Sequence, residues 1–188
     1  IREFETGALD GTYLFGFEES YGYLIGTHAR DKDAIVSSLV VAELAAYYAS
    51  KGTNVANELR AMYDKYGWYK EGIISVTMDG KEGVSQIQGI MEKLRANPPK
   101  EINGVKAVTL KDFELQAETD IVTGAKTEIK LPKSNVIQVI LEDGTYITAR
   151  PSGTEPKIKY YFGVNAKTES LVEEKMESMK KAFTEIVK

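Results

Sequence analysis

Eight consecutive residues, Arg150-Pro151-Ser152-Gly153-Thr154-Glu155-Pro156-Lys157, concentrate the groups that hold a phosphate. Arg150 offers a planar fork able to grip two oxygens at once, and Lys157 adds a point charge at the far end. Ser152 and Thr154 supply hydroxyl donors, and Gly153 leaves the main-chain N–H groups open to an anion. Pro151 and Pro156 fix φ at both ends of the run. An ordinary polar turn draws on the same residue types, so composition alone leaves that alternative standing.

A second polar run lies far upstream, Gly16-Phe17-Glu18-Glu19-Ser20-Tyr21-Gly22, followed by Arg30-Asp31-Lys32-Asp33. The carboxylate of Glu18 can accept from two vicinal hydroxyls, and the Ser20 hydroxyl can donate or accept beside it, a set suited to a sugar ring. Surface glutamates after a strand, with tyrosines packed nearby, are the plainer alternative. His28 is the sole histidine and reads as a structural donor, outside any catalytic set.

The elements that must present these loops fall into two sets. In the first, Thr12 to Phe17 reads as a buried strand delivering Glu18 and Ser20. Asp33 caps a helix running to Ser50 with a core stripe Val36, Val40, Leu44 and Tyr48. Asn54 to Tyr66 forms another helix, with Val55, Leu59, Met62 and Tyr63 inward and Gly67 past its end. In the second set a strand spans Ile73 to Met78, a helix runs from Glu82 to Arg95 and stops before Pro98-Pro99, and a strand spans Val105 to Leu110. Val136 to Leu141 and Thr145 to Ala149 form a hairpin about Asp143-Gly144. The strand after the phosphate loop alternates, with Lys157, Lys159 and Tyr161 on one face and Ile158, Tyr160 and Phe162 on the other. A last helix runs from Thr168 to Val187 on the stripe Val172, Met176, Met179, Phe183 and Ile186, whose methionines read as core filler. The polar segment from Glu114 to Lys130 reads as an exposed excursion.

Composition bounds the function. At 188 residues the chain can form one or two domains, and its 43% hydrophobic and 28% charged content is that of a globular protein. A net charge of −4 argues against a nucleic-acid surface. The absence of cysteine excludes disulfides and thiolate metal sites, and no apolar run reaches membrane-spanning length. A cytoplasmic location is the default expectation.

With both loops described, the string Arg150 to Lys157 resembles the phosphate-binding loop in the last domain of the α-D-phosphohexomutases, the phosphoglucomutases and phosphomannomutases. The run Gly16 to Gly22 resembles the sugar-recognition loop of that family's third domain, and Arg30 to Asp33 the basic stretch after it. The bacterial phosphoglucomutase branch resembles the chain most. The resemblance implies an α/β remnant of the third domain over residues 1–67 and an α+β C-terminal domain over 68–188, a largely antiparallel sheet with two helices on one face. It implies sugar contacts from Glu18, Ser20 and Lys32, and phosphate contacts from Arg150, Ser152, Gly153 and Thr154, to which Lys157 is added as a phosphate contact on its charge alone.

The family's phosphorylated serine sits in a Ser-His-Asn-Pro type loop and its Mg²⁺ in an Asp-Gly-Asp-x-Asp-Arg pattern. Neither pattern occurs here. The opening residues Ile1 to Phe4 resemble a helix in the middle of the third domain, so the chain is expected to be the C-terminal part of a longer enzyme. It would hold substrate and be inactive alone, with no catalytic residue and no metal ligand of its own. The implied reaction interconverts hexose 1-phosphate and hexose 6-phosphate through a bisphosphorylated sugar. Its partners would be glucose 1-phosphate, glucose 6-phosphate, glucose 1,6-bisphosphate and the missing N-terminal domains, with neither nucleic acid nor membrane involved. Phosphomannomutase or phosphopentomutase specificity, or a non-catalytic sugar-phosphate-binding module, are the alternatives.

Overall fold

A computed structural model covers residues 1–188, and all are described except Glu19, Ser20, Asp79 and Lys81. The chain divides into two compact units, Ile1–Met62 and Tyr63–Lys188.

The first unit contains α1 (Arg2–Glu5), β1 (Phe15–Glu18), β2 (Gly22–Ile25), α2 (Ala34–Ser50) and most of α3 (Val55–Tyr66). β1 and β2 pair antiparallel, with Glu18 opposite Gly22, so the polar run is the tip of a hairpin. The sequence reading of one buried strand from Thr12 is corrected here: Phe15 and Phe17 stay 50% and 72% exposed, and the buried position falls on Leu24 of β2. Asp33 caps α2 as expected, its Oδ1 accepting from the Ile35 and Val36 amides at 2.9 and 3.1 Å.

The expected α2 stripe is only partly covered. Val36, Val40 and Tyr48 are half-buried, whereas Leu44 is exposed. Val55, Leu59 and Met62 of α3 are exposed as well. The reason is geometric. α2 carries apolar residues on every side, and one two-stranded hairpin can cover only one side of such a helix.

The second unit contains β3 (Trp68–Thr77), α4 (Gly83–Ala96), β4 (Glu101–Ile102), β5 (Val105–Asp112), β6 (Ala117–Asp120), β7 (Lys126–Glu128), β8 (Ile137–Leu141), β9 (Tyr146–Pro151), β10 (Lys157–Ala166) and α5 (Glu169–Val187). The sheet order is β3-β10-β9-β8-β5-β6-β7, with β4 beside β5 and every pairing antiparallel. α4 and α5 pack on one face. Their buried residues Ile87, Met91, Leu94, Val172, Met176, Met179 and Phe183 form one core with Ile137, Val139, Ile147, Ile158, Tyr160 and Phe162 from the strands. The period of 2 in β10 and the i, i+4 stripe of α5 meet in that core, so burial fixes the register of β10. This α/β portion followed by an antiparallel α+β layer is the architecture read from the sequence.

The segment from Glu114 to Lys130 is a correction. β6 and β7 extend the sheet past β5, and a turn around Asp120 joins them, its Oδ1 accepting from the Val122 and Thr123 amides at 2.8 Å each. Polar residues fill both strands, so no apolar alternation announced them.

Candidate functional site

The phosphate loop begins with two strands held to a single register. Pro151 pairs with Ile158, Arg150 with Lys159, Ala149 with Tyr160 and Thr148 with Tyr161. Because Ile158 and Tyr160 are drawn into the core, Lys159 and Tyr161 are turned to the opposite face, where Arg150 also stands. The five residues between the strands close by a hydrogen bond from the Ser152 amide to the Lys157 carbonyl at 2.8 Å. The far strand is anchored further by the Met78 amide, which donates to the Pro156 carbonyl at 2.9 Å.

Arg150, Pro151, Ser152, Gly153, Thr154, Lys159 and Tyr161 line a recess of about 280 Å³. The hydroxyls of Ser152 and Thr154 lie 3.5 Å apart, and the Thr154 amide approaches Ser152 Oγ at 3.4 Å. A Cβ added to Gly153 would meet nothing within 4 Å, so the loop is open to solvent there. Among the described residues neither Arg150 nor Lys159 forms a salt bridge, although the Lys159 charge acts with Lys157 to lower the Glu155 carboxyl. Both cations are available to an incoming anion.

Lys157 behaves differently. Its Nζ pairs with Glu155 Oε2 at 2.9 Å, a contact that holds the Glu155 carboxyl below the usual carboxylate range. Lys157 does not line the recess, whereas Lys159 and Tyr161 do. The signal for these two was the alternation of β10: sharing a face with Lys157, they are carried into line with Arg150 by strand pairing. A second recess of about 280 Å³ on the other flank of the loop is bounded by Val84, Ile87, Gln88 and Asn135 and has no cationic lining among the described residues.

At the hairpin of the first unit, Glu18, Tyr21, Gly22, Tyr23 and Lys32 line an open recess of about 890 Å³ that continues along Ser37, Ser38 and Val41 of α2. Lys32 Nζ reaches both Glu18 oxygens at 3.3 Å and Asp31 Oδ1 at 3.3 Å. Asp31 first, then Glu18, raise the Lys32 pKa. Gly22 is closely approached in this arrangement, since a Cβ there would lie 2.0 Å from Lys32 Cδ and the lysine stem would have to shift. Ser20 lies outside the described residues. Tyr21, at φ 63°, turns the chain back into β2 and stands 89% exposed beside Glu18.

His28 Nε2 donates to Asp33 Oδ2 at 2.8 Å, the same carboxylate that caps α2. That bond, with the Val36 amide, holds the Asp33 carboxyl below its ordinary value. The histidine thus serves the helix start, in line with the structural role read for it. Among the described residues no three His, Cys, Asp or Glu side chains gather as a cation would require. Nor is any described helix long and apolar enough to cross a membrane.

Comparison with known proteins places this arrangement in a class of sugar-phosphate mutase domains. Residues 3–66 match the phosphoglucomutase/phosphomannomutase alpha/beta/alpha domain III, and residues 74–182 match the C-terminal domain of the same family. The chain belongs to the phosphoglucomutase/phosphomannomutase family. Phosphoglucomutase from Staphylococcus aureus is 37% identical over 166 residues, 88% of this chain and 30% of the relative. The phosphoglucomutase of Staphylococcus haemolyticus is 36% identical over 159 residues, 84% of this chain and 29% of the relative. The chain therefore spans about a third or less of the length of these relatives. Among solved structures, the open form of parafusin, a phosphoglucomutase from Paramecium, superposes with a TM-score of 0.54 at 17% identity, covering 85% of this chain and 28% of that one, a likeness of fold.

Proposed function

We propose that this chain is the substrate-holding C-terminal part of a phosphoglucomutase-type isomerase that interconverts hexose 1-phosphate and hexose 6-phosphate. The observation that carries the reading is the pairing of Arg150 with Lys159 across β9 and β10, two cations without a salt bridge among the described residues, over a hydroxyl-bearing loop. A phosphate monoester carries about −1.5 to −2 charges at neutral pH, so it matches this recess in charge and in acceptor number. Arg150 grips two oxygens, Lys159 neutralises the remaining charge, and Ser152, Thr154 and the open backbone at Gly153 fill the other acceptor positions.

Glu18 and Lys32 meet the sugar hydroxyls in the hairpin recess, with Ser20 as a further contact expected from the family resemblance. Since Glu18 and Lys32 already bond to each other, a hydroxyl enters by replacing that exposed contact, at little cost. Holding phosphate, and not ring, lets the same loop accept a sugar phosphorylated at either end. Positioning of this kind is the main contribution a protein makes to phosphoryl transfer. The reacting phosphoserine and the Mg²⁺ belong to other parts of the enzyme, and no step is assigned to a metal on this chain. The names of the curated relatives favour glucose over mannose or pentose.

The reading is tested by turnover of the full-length enzyme with Arg150→Ala and Lys159→Ala. Loss of a charge-assisted hydrogen bond of ~1.5–3 kcal/mol should lower kcat/KM at least about tenfold in each. Unchanged kinetics in both variants would sink it.

A further inference from the structure

Tyr21 lines the hairpin recess of the first unit together with Glu18 and Lys32. The two charged groups meet hydroxyls, but hydroxyl binding gives the aromatic residue no role.

The backbone at Tyr21 is unusual. Among the described residues three that are not glycine hold positive φ, Tyr21 at 63°, Asn103 at 51° and Gln116 at 52°. That region is uncommon for any side chain, and more so for a bulky one. Side-chain hydrogen bonds anchor the other two, from Asn103 Nδ2 to Ser178 Oγ at 3.1 Å and from Gln116 Nε2 to the Leu131 carbonyl at 2.8 Å. Tyr21 has neither a hydrogen bond nor a ring partner among the described residues, and it is 89% exposed. Its neighbour Tyr23 is committed to Phe15, with ring centroids 6.1 Å apart. Glycine takes such a position freely, whereas tyrosine strains the backbone there and gains no packing from the hairpin. The ring therefore points to a ligand.

We propose that Tyr21 is a stacking platform for the glucose ring and sets a preference for glucose over mannose, an inference that rests on the mutase reading. In α-D-glucose 1-phosphate the phosphate leaves C1 axially on one face of the ring. The opposite face carries the axial hydrogens of C2 and C4, an apolar patch that lies flat on an aromatic side chain. Mannose sets its C2 hydroxyl axially on that same face, which lifts the ring from the tyrosine. Glu18 and Lys32 hold the equatorial hydroxyls at the ring edge, and Tyr21 holds the face.

The test is steady-state kinetics of the full-length enzyme with Tyr21→Gly, Tyr21→Phe and Arg150→Ala. Tyr21→Gly should raise KM for glucose 1-phosphate about three- to tenfold, the range of one aromatic contact. Its thermal midpoint should be no lower than the parent's, since glycine relieves the strain. Tyr21→Phe keeps the ring and should hold KM within about twofold, and the inhibition constant of mannose 1-phosphate should move less than about twofold in Tyr21→Gly. An unchanged KM in Tyr21→Gly would overturn the proposal. So would an equal rise in Tyr21→Phe, equal weakening of mannose 1-phosphate, or a lowered thermal midpoint, which would make Tyr21 a packing residue. Parent kinetics in Arg150→Ala would remove the mutase reading and this inference with it, whereas impaired Arg150→Ala beside an unaffected Tyr21→Gly would remove the stack alone.

Discussion

Arg150 and Lys159 stand directly opposite each other on adjacent strands, two like charges of which neither forms a salt bridge among the described residues. Such a pair destabilises an empty sheet and is relieved by an anion. Inorganic phosphate should therefore raise the thermal midpoint of the second unit in a saturable way, as any ligand of the native state does. Lys159→Gln should be no less stable than the parent without phosphate and should lose most of the phosphate effect. Scanning calorimetry with and without phosphate distinguishes this from a purely structural lysine, whose replacement would leave the phosphate effect intact.

Gly22 and Lys32 are tied by close approach, since the lysine stem crosses where a Cβ would be. Gly22→Ala should push Lys32 away from Glu18. The Lys32 pKa, raised by Asp31 and by Glu18, should then fall toward its ordinary value. A ¹³C titration of the Lys32 side chain checks this, and an unchanged pKa would show that the stem simply rotates aside with its ion pair intact.

Asp112 is 3% exposed and anchors the end of β5, its Oδ2 accepting from Arg95 Nε at 3.0 Å and its Oδ1 from the Glu114 and Leu115 amides at 3.0 and 3.1 Å. Asp112→Ala strands a largely buried guanidinium and two amides, a loss of about 3–5 kcal/mol. Urea unfolding should register it as a lower midpoint with little change in slope. A loss below about 1 kcal/mol would mean that Asn135 and Glu114 alone satisfy Arg95.

Much of the second unit was legible in the sequence because its patterns are consistent from level to level. The alternation of Ile158, Tyr160 and Phe162, the stripe from Val172 to Phe183 and the Asp143-Gly144 turn all point to one sheet with two helices. What was missed follows from the same physics. β6 and β7 bury too little to alternate, and β2 begins at a glycine, a residue of low strand propensity, over which the Lys32 stem passes. Lys157 was read as a phosphate lysine from adjacency; in the structure it pairs with Glu155, and strand register sets Lys159 in the recess beside Arg150. Ser20 lies outside the described residues, so its placement rests on the loop's resemblance.

Asp143 gives the pH dependence its sign. Burial acts to raise its carboxyl, but the Lys175 ammonium at 2.8 Å and the Thr145 amide at 2.9 Å outweigh it, and the folded pKa lies below the unfolded one. Its contribution is therefore complete above the unfolded value of about 3.9 and disappears as pH falls through the folded value. The stability difference between the parent and Asp143→Asn should be constant near neutrality and shrink in acid. Urea midpoints across that range would contradict this if the difference grew on acidification.

The most direct test of the central claim is an amide NMR titration of the chain with glucose 1-phosphate, comparing the parent with Lys159→Ala. Saturable shifts at Ser152, Gly153 and Thr154 that weaken by about tenfold in the variant are the expected result. Silence at those three amides in the parent, or identical titrations in both proteins, would contradict the assignment of this recess as the phosphate site.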